Sequence, residues 1–213
     1  MRYQRVLFDC DSTLSAVEGI DELARRAGVG DEVAGLTRRA MAGEIPLEEV
    51  YGRRLELIRP DRGAIDWLAR RYLERITPGA LETITALLED GVAVHIVSGG
   101  LEPALRPLAE QLGIPLQNLH AVGLQLDADG AWLGYERDSP LARSGGKAEI
   151  CRQVMMPGER LAMVGDGVTD LETMAAGADF IGFGGVVMRE AVKAAAPVYV
   201  GEPDLRGVLE YLR

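Results

Sequence analysis

Three short apolar runs, Val6 to Phe8, Val92 to Val97 and Leu161 to Val164, stand out along the chain. They are rich in branched residues and do not alternate with polar ones, the pattern of strands buried on both faces of a parallel sheet. Phe180 to Phe183 and Val198 to Val200 are shorter runs of the same kind. Between the runs, helical patterns cover 79–89, 101–112, 146–155 and 168–176, punctuated by Pro78, Gly91, Gly113, Pro157 and Gly177. The alternation predicts an α/β fold with an open, mainly parallel Rossmann-like sheet and flanking helices.

Residues 16–75 break that rhythm. They carry amphipathic helical patterns at roughly 18–27, 31–42, 46–58 and 61–74 and no strand pattern. The expected organisation is an α/β core of residues 1–15 and 76–213 with a small all-helical cap domain, 16–75, inserted after the first strand. Leu119, Val122, Leu124 and Leu126 alternate ahead of Asp127-Ala128-Asp129-Gly130, with Trp132 and Tyr135 beyond, so 119–136 is expected to form a β-hairpin.

Charge narrows the partners. The 213 residues hold 33 acidic and 23 basic groups, a formal net charge of −10, which disfavours nucleic acid or a polybasic membrane contact. Residues 76–213 alone hold 19 acidic and 10 basic groups. Cys10 and Cys151 match no zinc or disulfide spacing. With no signal-peptide or membrane-span pattern, the expectation is a cytoplasmic protein, monomer or homodimer.

Each of the three main apolar runs ends in a polar residue: Asp9, Ser98 and, past Gly165, Asp166. Ligands of open parallel sheets bind outside the carboxyl ends of the strands, so these three should converge. Asp9 and Asp11 lie two apart on an extended segment and can share one crevice, where paired carboxylates need a cation or a shared proton. A hard oxygen-ligated ion such as Mg²⁺ suits them. Glycines flank Asp166, and Asp170 lies one helical turn on. Ser98-Gly99-Gly100 resembles a phosphate cradle at a helix start. Lys147, one of two lysines in the chain, follows Gly145-Gly146 at another helix start and supplies a point charge suited to phosphate. His95 and His120 read as packing residues, and Trp67 and Trp132 as apolar helix and hairpin faces.

In order, Asp9-x-Asp11-x-Thr13, Ser98-Gly99-Gly100, Gly145-Gly146-Lys147 and Gly165-Asp166-Gly167-x-x-Asp170 resemble the four motifs of the haloacid dehalogenase superfamily of phosphatases. Glu18 to Leu23, Arg38 to Met41 and Arg54 to Ile58 extend the similarity to its phosphoserine phosphatases. The resemblance implies Mg²⁺-dependent hydrolysis of O-phospho-L-serine, a small phosphorylated amino acid, to serine and phosphate, the last step of serine biosynthesis. It implies Asp9 as a nucleophile that becomes an aspartyl phosphate, with Asp11 as acid and then base. It implies Mg²⁺ on Asp9, Asp166 and the Asp11 backbone carbonyl. Ser98, Gly99 and Lys147 would bind phosphate, Asp170 would orient Lys147 or a metal-bound water, and Thr169 would touch substrate. Of the cap's four Arg-Arg pairs, it selects Arg54 for the substrate carboxylate, with Glu18 for its ammonium group and Met41 lining the site. One departure is Leu47, where the family commonly has a gating phenylalanine. The same chemistry also serves another small phosphate or transfer to an acceptor such as homoserine. Nonenzymatic receiver domains share an acidic Asp/Lys pocket, but have no need of a helical insertion or a second, proton-exchanging aspartate.

Overall fold

The computed structural model describes residues 3–41, 45 and 47–213; the side chains of Met41 and Leu47 lie outside the described residues. The chain begins with β1 (Arg5–Phe8), followed by α1 (Gly19–Arg26), α2 (Gly30–Met41), α3 (Leu47–Ile58) and α4 (Arg62–Glu74). It continues through α5 (Ala80–Glu89), β2 (Ala93–Leu101), α6 (Glu102–Gln111), β3 (Leu119–Val122), β4 (Leu124–Leu126) and β5 (Trp132–Tyr135). Then come α7 (Gly146–Val154), β6 (Leu161–Gly165), α8 (Val168–Leu171), β7 (Asp179–Phe183), α9 (Glu190–Ala195), β8 (Val198–Val200) and α10 (Leu209–Leu212).

Six strands form one parallel sheet in the order β3-β2-β1-β6-β7-β8. β1 is central, and Val6, Leu7 and Phe8 are fully buried, as their unbroken apolar run requires. The order reverses between β1 and β6, the switch point at which such sheets open a crevice. Asp9 follows β1, Ser98 lies on β2 and Asp166 follows β6.

Helices α1 to α4 leave the core between β1 and α5. Acidic residues open α1 and α2 and arginines close them, matching the helix dipoles, and Asp61 Oδ1 caps α4 by accepting from the Ala64 N–H at 2.7 Å. The chain enters and leaves this insertion at adjacent points: the Ala16 N–H donates to the Arg75 carbonyl and the Thr77 N–H to that of Leu14. α4 packs against α6, so the helix that ends the insertion is seated on the core.

Three expectations need correction. Residues 119–122 are the edge strand β3, parallel to β2, and only β4 and β5 form the hairpin. Short alternating segments carry no mark of which strand they pair with. Ser98 to Gly100 remain extended within β2, and α6 starts only at Glu102. The pattern at 168–176 is a single α turn followed by a 3-10 segment, Glu172–Ala176, and Asp170 Oδ2 caps the start of the turn by accepting from the Gly167 N–H.

His95 and His120 pack as expected, and closely. Their rings stack at 5.3 Å, with His95 Nδ1 3.1 Å from His120 Nε2. Arg5 Nη1 lies 3.0 Å from His95 Nε2, and arginine only donates, so the hydrogen of His95 sits on Nδ1 and points at His120. Burial, then His120 and Arg5, lower the His95 pKa to about 4. The unfolded chain therefore binds a proton that the folded one resists, and this site's stability is lost as pH falls from about 6.5 to 4. His95→Gln is expected to flatten the fall in thermal midpoint between pH 7 and pH 4.5 by about 2–4 °C. An unchanged slope in parallel melts would refute this.

Candidate active site

Asp9, Asp166 and Asp170 are all buried, and one carboxylate oxygen from each lies within 4.8 Å of the others. Asp9 is held by the Cys10 N–H on Oδ1 at 2.7 Å. Lys147 Nζ reaches the same oxygen at 2.7 Å and Asp170 Oδ1 at 2.6 Å. Asp170 Oδ2 accepts from the Gly167 N–H at 2.9 Å. Glycine at 165 makes room for this, since a Cβ there would lie 2.3 Å from Asp170 Oδ2. The turn after β1 is tight enough to place Ser12 at φ 55°, a left-handed conformation that costs about 1 kcal/mol in a non-glycine residue.

Charges in the cluster do not balance. Three carboxylates face one ammonium and one guanidinium, for Arg189 Nε donates to Asp166 Oδ2 at 2.8 Å. Burial, and then the charge of Asp9, push the Asp166 and Asp170 carboxyls up from the ordinary carboxylate range. Asp170 and Asp9 hold the Lys147 ammonium in its charged form against the cost of its burial. Buried hard oxygen donors with surplus negative charge suit a divalent cation such as Mg²⁺.

Asp11 is placed differently. Its Oδ1 accepts from the Tyr72 hydroxyl and its Oδ2 from the Gly19 N–H, both at 2.7 Å, so its side chain is outside the three-carboxylate cluster. Gly19 is the first residue of α1, a helix with no cap from its own preceding side chain. Removal from water, with Glu18 and Asp9 adding repulsion, raises the Asp11 pKa to about 7. A carboxyl in that range can hold a proton at neutral pH and also give it up.

A cavity of about 450 Å³ joins these groups to the helical insertion. Asp9, Asp11, Ser98, Gly99, Lys147 and Thr169 line it from the core. Glu18, Tyr51 and Arg54 line it from the insertion side. Ser98 is almost fully buried, and its Oγ accepts from the Gly100 N–H at 3.0 Å. Arg54 lies 5.9 Å from the Tyr51 ring, and its Nε is buried with no hydrogen-bond partner among the described residues. A larger hollow of about 820 Å³ opens between α2, α3 and Tyr135, but none of the four motifs reaches it, and its charged side chains are exposed. The expected role of Met41 falls outside the described residues.

The haloacid dehalogenase-like hydrolase profile matches residues 6–175, which carry every motif of this site. The chain belongs to the haloacid dehalogenase-like hydrolases. Within that family it falls among the phosphoserine phosphatases. It is 38% identical to the phosphoserine phosphatase of Bos taurus over 208 residues, covering 96% of this chain and 92% of that one. It is 41% identical to the chloroplastic phosphoserine phosphatase of Arabidopsis thaliana over 197 residues, covering 91% and 67%. A substrate-bound phosphoserine phosphatase structure superposes with a TM-score of 0.80 at 30% identity over the whole of both chains.

One residue of this haloacid dehalogenase-like phosphatase escaped the sequence reading. Arg189, between β7 and α9, bridges the two sides of the cavity: Nε donates to Asp166, and Nη2 donates to Glu18 Oε1 at 2.9 Å. Ser12 Oγ donates to the same Glu18 oxygen at 2.8 Å. The crevice rule applied to β7, as to the three strands before it, would have pointed to the loop that carries Arg189.

Proposed function

We propose that this phosphatase hydrolyses O-phospho-L-serine to L-serine and inorganic phosphate through an aspartyl phosphate on Asp9. The observation that carries the substrate is Arg54: a guanidinium whose buried Nε has no hydrogen-bond partner among the described residues, in the same cavity as Asp9. A substrate carboxylate would satisfy it. Among the described residues, Glu18 engages Ser12 and Arg189 through Oε1, which leaves Oε2 for an ammonium group. An acidic and a basic group in one cavity, beside a phosphate-handling cluster, suit a phosphorylated amino acid and discriminate against a bare monoester. We assign residues 16–75 the role of a cap that carries this recognition.

Asp9 attacks phosphorus, forming the Asp9 O–P bond as the bond to the seryl oxygen breaks. The electron pair of that bond goes to the seryl oxygen, which takes the proton from the Asp11 carboxyl. Water then attacks the phosphoryl group and gives a proton to Asp11, restoring the Asp9 carboxylate and releasing phosphate. Lys147, Ser98 and the Gly99 backbone bind the phosphoryl oxygens as charge spreads over them. Asp170 orients Lys147, and Thr169 faces the substrate. Mg²⁺, held by Asp9, Asp166 and the Asp11 carbonyl, would supply positive charge for the phosphoryl oxygens. No helix among the described residues is long and apolar enough to cross a membrane. Both cysteines are free and buried, which suits a reducing compartment.

The test is phosphate release from phosphoserine, phosphothreonine, phosphoethanolamine and an aryl phosphate, with Mg²⁺ or EDTA and with or without homoserine. Phosphoserine is expected to lead in kcat/KM by at least about 10-fold, and EDTA to remove activity. Homoserine phosphate as the main product, or equal rates across the panel, would refute the assignment.

A further inference from the structure

Tyr72 is among the largest fully buried side chains of the molecule, on the inward face of α4 with Ile65, Leu68 and Ala69. Packing at such a position asks only for an apolar body, which phenylalanine or leucine would provide. The hydroxyl is therefore surplus to the core, and it points at Asp11. We infer that Tyr72 is a positioning residue for the reaction: its hydroxyl on Oδ1, with the Gly19 N–H on Oδ2, fixes the Asp11 carboxyl in the orientation that serves the leaving group. The inference rests on the proton-transfer role proposed above for Asp11.

Three observations support it. Asp11 forms no ion pair among the described residues, whereas Asp9, Asp166 and Asp170 each contact a cation, so neutral donors alone set its direction. Tyr72 is itself fixed: Ser15 Oγ donates to its carbonyl at 3.1 Å, and α4 is seated on α6. The fit is close, since a Cβ on Gly19 would lie 2.2 Å from the Tyr72 hydroxyl oxygen. A catalytic group displaced by about 1 Å can lose on the order of 100-fold in rate, so a hold on both carboxyl oxygens has kinetic value.

The experiment is rapid-quench measurement of phosphoenzyme formation, with Mg²⁺, by the parent protein, Tyr72→Phe and Asp11→Asn. Phosphoserine has a leaving group that needs a proton, whereas 4-nitrophenyl phosphate releases a stable phenolate. Tyr72→Phe is expected to slow formation from phosphoserine about 10-fold, with KM moving less than about 2-fold, and to leave formation from the aryl phosphate within about 2-fold. Asp11→Asn should show the same selectivity, more strongly. A selective Asp11→Asn beside an unselective or unaffected Tyr72→Phe overturns the inference alone and makes the tyrosine structural. An unselective Asp11→Asn overturns the proton-transfer reading, and the inference falls with it.

Gly19→Ala provides a second route should Tyr72→Phe fold poorly. Its methyl displaces the hydroxyl, so on its own it should slow phosphoenzyme formation from phosphoserine and leave formation from the aryl phosphate within about 2-fold. Equal losses on both substrates would overturn the inference.

Discussion

Asp9→Asn is expected to abolish covalent trapping of phosphate and to lower turnover on phosphoserine by on the order of 10⁴-fold or more. An amide of the same shape can still accept the Cys10 N–H, but it cannot attack phosphorus. The substitution also takes one negative charge from a buried cluster that holds too many, where Asp9 is the principal charge raising the carboxyls of Asp166 and Asp170. The variant should therefore melt no lower than the parent, which separates lost chemistry from lost fold. Rapid quench with ³²P-labelled phosphoserine, followed by denaturing gel, measures the trapped phosphate. Label retained by Asp9→Asn would move the nucleophile to another residue.

Arg54→Ala carries the second large effect. If the guanidinium pairs with the substrate carboxylate, its removal leaves that charge unpaired in the cavity, a loss of roughly 2–4 kcal/mol, or about 30- to 10³-fold in kcat/KM. An aryl phosphate has no carboxylate and should lose less than about 3-fold. In the free protein, burial already weighs against the Arg54 charge, so its thermal midpoint should stay near the parent's. Equal losses on both substrates would make Arg54 a structural residue and leave the phosphoserine assignment without its main support.

The cavity residues legible in the sequence are local signals of a general rule. Asp9 and Asp166 are legible because each follows a buried parallel strand, and the crevice rule needs only that position; Ser98 is legible as the end of an apolar run, although β2 itself continues to Leu101. Lys147 stood out through its rarity and its place at a helix start. Arg54 was different: four Arg-Arg pairs had the same appearance, and only the family resemblance picked one. The structure adds a physical reason, since this arginine has a buried Nε with no hydrogen-bond partner among the described residues, in the cavity that Asp9 also lines. Strand β3 was misread because alternation shows a strand's faces but not its neighbour. The partner of Asp11 was invisible for a similar reason: Tyr72 lies 61 residues away and reads only as another apolar position on α4.

The sequence by itself determined the α/β class, the helical insertion and the four motif segments, because hydrophobic period and turn residues are properties of neighbouring positions. Tertiary structure alone decided how the acids divide their work. Asp9, Asp166 and Asp170 gather around Lys147 and Arg189, while Asp11, two residues from Asp9, turns to neutral donors on α1 and α4. That division depends on burial and on distances between residues far apart in the chain, and these exist only once the sheet and the inserted helices have packed together.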